Sequence, residues 1–88
     1  MAGKPLGPNE MTIVARGAWK DGRDARYRRN LAGLTVQEAL TRIKGSDQKA
    51  GVIPAGFLVA GPYHLNGGSI QEDSTMILYR GDVLSVDP

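Results

Sequence analysis

Residues 34–45, LTVQEALTRIKG, read as a short helix with both ends labelled. Thr35 is a good N-cap, and Glu38 stands three residues on, the spacing of a capping box. Leu34 precedes the cap and is placed to pack on Ala39 as a hydrophobic staple. Val36, Ala39, Leu40 and Ile43 fall at i, i+3, i+4 and i+7, one stripe of an amphipathic helix. Lys44 suits the negative end of the helix dipole, and Gly45 is a natural residue just past the end. A helix over 35–44 is too short to persist alone in water, so its stripe must rest on another apolar layer. Nothing else in the chain has helical periodicity. The other layer is therefore a sheet, and the fold class is α+β in two layers.

The strand signals lie on both sides of the helix. MTIVAR, residues 11–16, alternates, with Met11, Ile13 and Ala15 on one face. Residues 24–30 alternate again: Ala25, Tyr27 and Arg29 oppose Arg26, Arg28 and Asn30. Asp21-Gly22 between them is a turn signal, so the two segments form a hairpin. Trp19, near its tip, is expected to fold back on the core, because an exposed indole leaves a large apolar area in water. After the helix comes a loop over 45–56, in which Val52 and Ile53 turn inward. FLVAG, residues 57–61, reads as a strand that Pro62 ends. Asn66-Gly67-Gly68 is a turn, and residues 74–79 and 83–86 are strand-like, with Arg80-Gly81-Asp82 turning between them. The expected architecture is one helix across a mixed sheet of four to five strands. Residues 1–9 form a flexible leader, and residues 10–88 form a single domain.

Composition narrows the function classes. Among 88 residues there is no cysteine and one histidine. That excludes disulfides, thiolate-bound zinc and iron–sulfur clusters, and fits a reducing, cytoplasmic setting. No run approaches the roughly 20 apolar residues of a membrane span. His64 has no second histidine and no nucleophile pattern beside it, so it supports neither a zinc site nor acid–base catalysis. Glu72, Asp73 and Asp82 sit at turns, where carboxylates serve solubility and turn hydrogen bonds. No metal, cofactor or enzymatic activity is expected.

Order and spacing together resemble the ubiquitin-like β-grasp superfamily over residues 11–88. LTVQEALTRIKGSDQKAGVIPAGFLVAG is similar to the helix, loop and third strand of ubiquitin, including the Ile-Pro of the loop and the closing Ala-Gly. LNGGSIQEDSTMILYRGDVLSVDP resembles the ending of the molybdopterin-synthase small subunit and thiamine sulfur carrier branches, through Asn66, Gly67, Ile70, Leu78, Gly81, Asp82, Val83 and Pro88. The two branches disagree on the last strand, and the Gly81-Asp82 turn favours 82–87. Where these families end in Gly-Gly, this sequence ends in Asp87-Pro88. The resemblance thus implies a modifier or sulfur-carrier type of protein whose tail is missing or processed. It also implies a protein partner, such as an adenylating enzyme.

Two candidate surfaces follow. By the alignment with ubiquitin, Met76 and Leu78 point in, while Leu58, Ile77 and Tyr79 point out at the positions of ubiquitin's partner-binding patch. A register slip of one residue would reverse these faces. The alternative is a nucleic-acid or acidic-surface binder using Arg16, Arg23, Arg26, Arg28 and Arg29 of the basic hairpin. An edge strand also carries such charge simply to discourage pairing with other chains.

Overall fold

The computed structural model of the protein describes residues 5–54 and 61–87. The chain forms β1 (Met11–Ala15), β2 (Ala25–Arg29), α1 (Val36–Arg42), a π-helical turn (Ile43–Asp47), α2 (Gln48–Ala50), β3 (Tyr63–Leu65), β4 (Gly68–Ile70) and β5 (Val83–Val86). The five strands make one mixed sheet in the order β2-β1-β5-β3-β4. β1 and β5 run parallel at its centre, and every other pair is antiparallel. The fold is a small α+β domain with one helical run on a five-stranded sheet.

Register assigns the two faces. Ala25, Ala15, Val86, Tyr63 and Ile70 form one row across the sheet, and Tyr27, Ile13, Leu84 and Leu65 form the next. These rows face the helix, whose Val36, Ala39, Leu40 and Ile43 are buried against them together with Leu31, Ile53 and Leu78. The stripe at i, i+3, i+4 and i+7 therefore meets the sheet as its spacing requires. Each large aliphatic side chain in this layer contributes about 1.5–3 kcal/mol through burial. The opposite face carries Arg26, Val14, Ser85, His64 and Ser69 in a single row.

The helix start forms as its sequence specifies. Thr35 Oγ1 accepts the Glu38 N–H at 3.2 Å, and Glu38 Oε1 accepts the Thr35 N–H at 3.2 Å. The helix end does not. Gly45 lies inside the helical run, without the positive φ of a terminating glycine. Instead the chain widens into a π-helical turn and continues to Ala50, and Gly51 takes the left-handed conformation at φ 83°. The wider turn brings Asp47 to a fully buried position under β2. Ser46 and Thr41 both bond back to carbonyls four residues earlier, Arg42 and Gln37.

Three further expectations are corrected. Trp19 is 37 % exposed rather than folded under the sheet. Its N–H and C=O are held in the tight loop by Arg23 O and Gly22 N, and aliphatic residues fill the core instead. Of Val52 and Ile53, only Ile53 is buried. Residues 74–79 are not a strand of the sheet, for reasons given below. The expected strand at 57–61 lies outside the described residues except for Gly61, and the third strand described is Tyr63–Leu65.

Candidate interaction surface

The segment leading into β5 is held by two turns that fasten to each other. Asn66 and Gly67 both have positive φ, 52° and 87°, between Leu65 and Gly68, which pair across the β3–β4 hairpin. Positive φ at both central residues is the signature of a type I′ turn, and Asn-Gly is its favoured pair. At the second turn Gly81 has φ 86°, and Asp82 N–H bonds to Tyr79 O at 3.1 Å. Asp82 Oδ2 accepts the Tyr79 N–H at 2.8 Å, while Oδ1 accepts Asn66 Nδ2 at 3.1 Å. Asn66 Oδ1 in turn accepts the Val83 N–H at 2.9 Å. The Asn-Gly and Gly-Asp pairs of the sequence thus form one clasp.

From that clasp, residues 74–79 run across the start of α1. The N–H groups of Val36 and Gln37 bond to Met76 O at 3.0 Å and Ser74 O at 3.2 Å. Leu34 and Leu78 are joined by Leu78 N–H to Leu34 O at 2.9 Å, and a single bridge joins Thr35 to Ile77. With the N–H groups of Thr35 and Glu38 taken up by the capping box, all four donors at the start of the helix are satisfied. The backbone of 74–79 serves the helix end and not a sheet ladder, so sheet alternation does not govern its side chains.

The consequence is a concentration of exposed apolar groups. Leu78 alone in this segment is buried. Met76, Ile77 and Tyr79 are 56 %, 41 % and 68 % exposed. Ile77 and Tyr79 face outward as expected, whereas Met76, expected inside, is exposed because its carbonyl, not its side chain, is directed to the helix. Leu58, the third residue of the expected patch, lies outside the described residues.

The basic hairpin does not present one surface. Arg26 and Arg28 project from the outer face of β2. Arg28 Nη1 also donates to Pro5 O at 3.3 Å. Arg16 approaches Asp87 at 3.6 Å, and Arg23 pairs with Asp21 at 2.6 Å. Arg29, on the inner face, reaches buried Asp47, with Nη2 to Oδ1 at 3.0 Å. Tyr27 completes this group by donating its hydroxyl to Asp47 Oδ2 at 2.8 Å. Burial, and then the hydrogen bond to Asp47, push the Tyr27 pKa far up, so the phenol stays protonated and donating. The Arg29–Asp47 approach is a charge contact more than a directed hydrogen bond: Arg29 Nε and Asp47 Oδ1 have no well-aligned partner. Sequence reading missed Asp47 because Lys-Gly-Ser-Asp looks like a helix terminus. Its one visible signal was Arg29 on the inward parity of a strand.

On the outer face His64 stands between Ser85 and Ser69 of the neighbouring strands. Among the described residues no group of three or more His, Asp or Glu side chains is placed to hold a metal ion, and no helix is long and apolar enough to cross a membrane. No family model, curated protein or solved structure matches the chain.

Proposed function

We propose that this chain is a ubiquitin-like β-grasp domain that acts by docking on a protein partner through Ile77, Tyr79 and Met76. The fold part of this reading is supported by the starting hairpin, the helix across the sheet and the β2-β1-β5-β3-β4 order with a parallel central pair. The functional part is carried by one observation: three large apolar side chains, each more than two-fifths exposed, lie within four residues of a backbone fastened at both ends. A rigid apolar group in water favours a partner, because the apolar area is already ordered and binding need only desolvate it. The partner class is an adenylating enzyme of the kind that activates modifiers and sulfur carriers. This follows from the resemblance to those families.

The test places a photo-crosslinking residue at position 77 and, as a control, at position 26. Crosslinking to one adenylating enzyme from 77 and not from 26, insensitive to salt and lost in Tyr79→Ser, supports docking. A crosslink that requires Arg26 and fades steeply with salt replaces this reading with an electrostatic one.

A further inference from the structure

The clasp that joins Asn66 to Asp82 carries a chemical liability of its own. Asn66 and Gly67 are exposed, and theirs is the one asparagine step in this chain with no side chain on the following residue: Asn9 precedes Glu10 and Asn30 precedes Leu31. A glycine amide nitrogen can close on the preceding side-chain carbonyl carbon without a Cβ in the way. Apart from its chain neighbours, no heavy atom stands within 4 Å of where a Cβ on Gly67 would be, and its N–H makes no hydrogen bond among the described residues. The nucleophile is therefore open to solvent. The electrophile is held. Asn66 Nδ2 donates to Asp82 Oδ1 at 3.1 Å and Asn66 Oδ1 accepts the Val83 N–H at 2.9 Å, so both ends of the amide are fastened to the start of β5. The left-handed backbone at Asn66, φ 52°, is fixed by the same hairpin turn. Attack requires the amide to leave those two partners first, by a local opening.

We propose that Asn66 is a site of spontaneous deamidation, with water as the only co-reactant, and that the clasp sets its rate. Once the clasp opens, base takes the Gly67 amide proton and the nitrogen attacks Cγ of Asn66. The N–Cγ bond forms, the Cγ–Nδ2 bond breaks, and Nδ2 leaves as ammonia with a proton from solvent. Water then opens the resulting succinimide at one of its two carbonyls. The product is either an aspartate at position 66 or an isoaspartyl link that runs through the side chain. Neither restores the clasp. The aspartate can still accept the Val83 N–H, but it loses the donor to Asp82 and sets one carboxylate beside another. The isoaspartyl link lengthens a two-residue turn whose length fixes the β3–β4 register. Asp82 also holds the Tyr79 N–H at 2.8 Å, so the modification loosens the turn at Tyr79 as well.

The test is peptide mapping by mass spectrometry after incubation of the full chain in mildly alkaline buffer, with and without urea. In urea Asn66 should convert to the acid faster than Asn9 and Asn30. In the folded chain it should be slower than in urea by about twentyfold, the effect of two side-chain hydrogen bonds of ordinary net strength. Asp82→Ala, which removes one of them, should recover about fivefold of that. The milder Asp82→Asn, which leaves one carbonyl oxygen for the Tyr79 N–H, should also accelerate conversion. Tyr27→Phe, at the opposite edge of the sheet, should leave the rate unchanged. In Asn66→Asp, which stands for the product, the Tyr79 amide should exchange with solvent faster than in the native chain while the β1 amides keep their protection. A folded-chain rate equal to that in urea overturns the proposal, as do Asp82 variants that convert no faster than the native chain. An acceleration by Tyr27→Phe as large as that by Asp82→Ala also overturns it, assigning the rate to global unfolding.

Discussion

Two regions invert the usual distribution of polarity, in opposite senses. Under β2, Tyr27, Arg29 and Asp47 place an ion pair and a hydroxyl against the core. Across the start of α1, Met76, Ile77 and Tyr79 place apolar surface in water. The first group is joined by side-chain contacts, so removing any member leaves the others wrongly buried. The second is held through its backbone N–H and C=O groups, with the Asp82 carboxylate as one partner, and by buried Leu78, so the Met76, Ile77 and Tyr79 side chains are expendable to the fold. Buried polarity that is cross-linked reports on structure; exposed apolarity that nothing needs internally reports on what the molecule meets outside itself.

The sharpest way to break this comparison is to remove Asp47. Asp47→Ala leaves Arg29 facing the core without a counter-charge and Tyr27 without an acceptor. Loss of one partner of a buried pair costs about 3 kcal/mol, at the low end of its range here because Arg29 is partly exposed. Urea denaturation should show it as a lower midpoint at unchanged slope. Tyr27→Phe removes a single donor and should cost about 1–2 kcal/mol. The pair Asp47→Leu with Arg29→Met should be far milder than Asp47→Ala, since apolar replacement of a whole buried pair is often neutral. If Asp47→Ala proves harmless, the π-helical turn is not held by charge.

How far each region could be read from sequence follows from the distance over which its cause acts. The helix start needed only Thr35 and Glu38, three residues apart, and formed as expected. The turns at Asn66-Gly67 and Gly81-Asp82 are likewise local, because positive φ selects glycine and asparagine directly. The helix end was misread because its cause is not local. Gly45 looks like a terminator until Asp47 meets Arg29 eighteen positions away in the chain and the helix continues to satisfy that contact. Met76 was misplaced for a related reason: alternation predicts faces only where a sheet ladder exists, and 74–79 spends its hydrogen bonds on the helix. Within the proposed surface, Ile77 and Tyr79 were legible.

A smaller effect belongs to the joint between the two regions, the start of α1. Thr35→Ala removes the cap and should cost about 1 kcal/mol. The pH dependence sharpens this. Hydrogen bonds from the backbone and then the side chain of Thr35 hold the Glu38 carboxyl below its ordinary value of 4.5. A depressed folded-state pKa stabilises the fold above the unfolded value and loses that contribution as pH falls through the folded one. The advantage of the native chain over Glu38→Ala should therefore be full near neutrality and shrink progressively below about 4.5. An advantage that does not change with pH would mean that the carboxylate is not engaged with Thr35.

The smallest expected effect on stability is the one on which the comparison turns. Tyr79→Ser removes a ring that is 68 % exposed, and the turn at that position is held by the Tyr79 N–H to Asp82, which serine retains. Ile77→Ser removes a side chain with more contact, but the Thr35–Ile77 bridge is a backbone pairing and survives. Surface changes of this kind usually stay within about 0.5 kcal/mol, and Ile77→Ser should sit above Tyr79→Ser in proportion to its lesser exposure. The double variant should unfold in urea close to the native chain, and Tyr79→Ser alone should lose the crosslink from position 77. A loss of more than about 2 kcal/mol would instead mark these side chains as packed. The asymmetry between the regions would then vanish, because both would be held by side-chain contacts and neither would be left over for a partner.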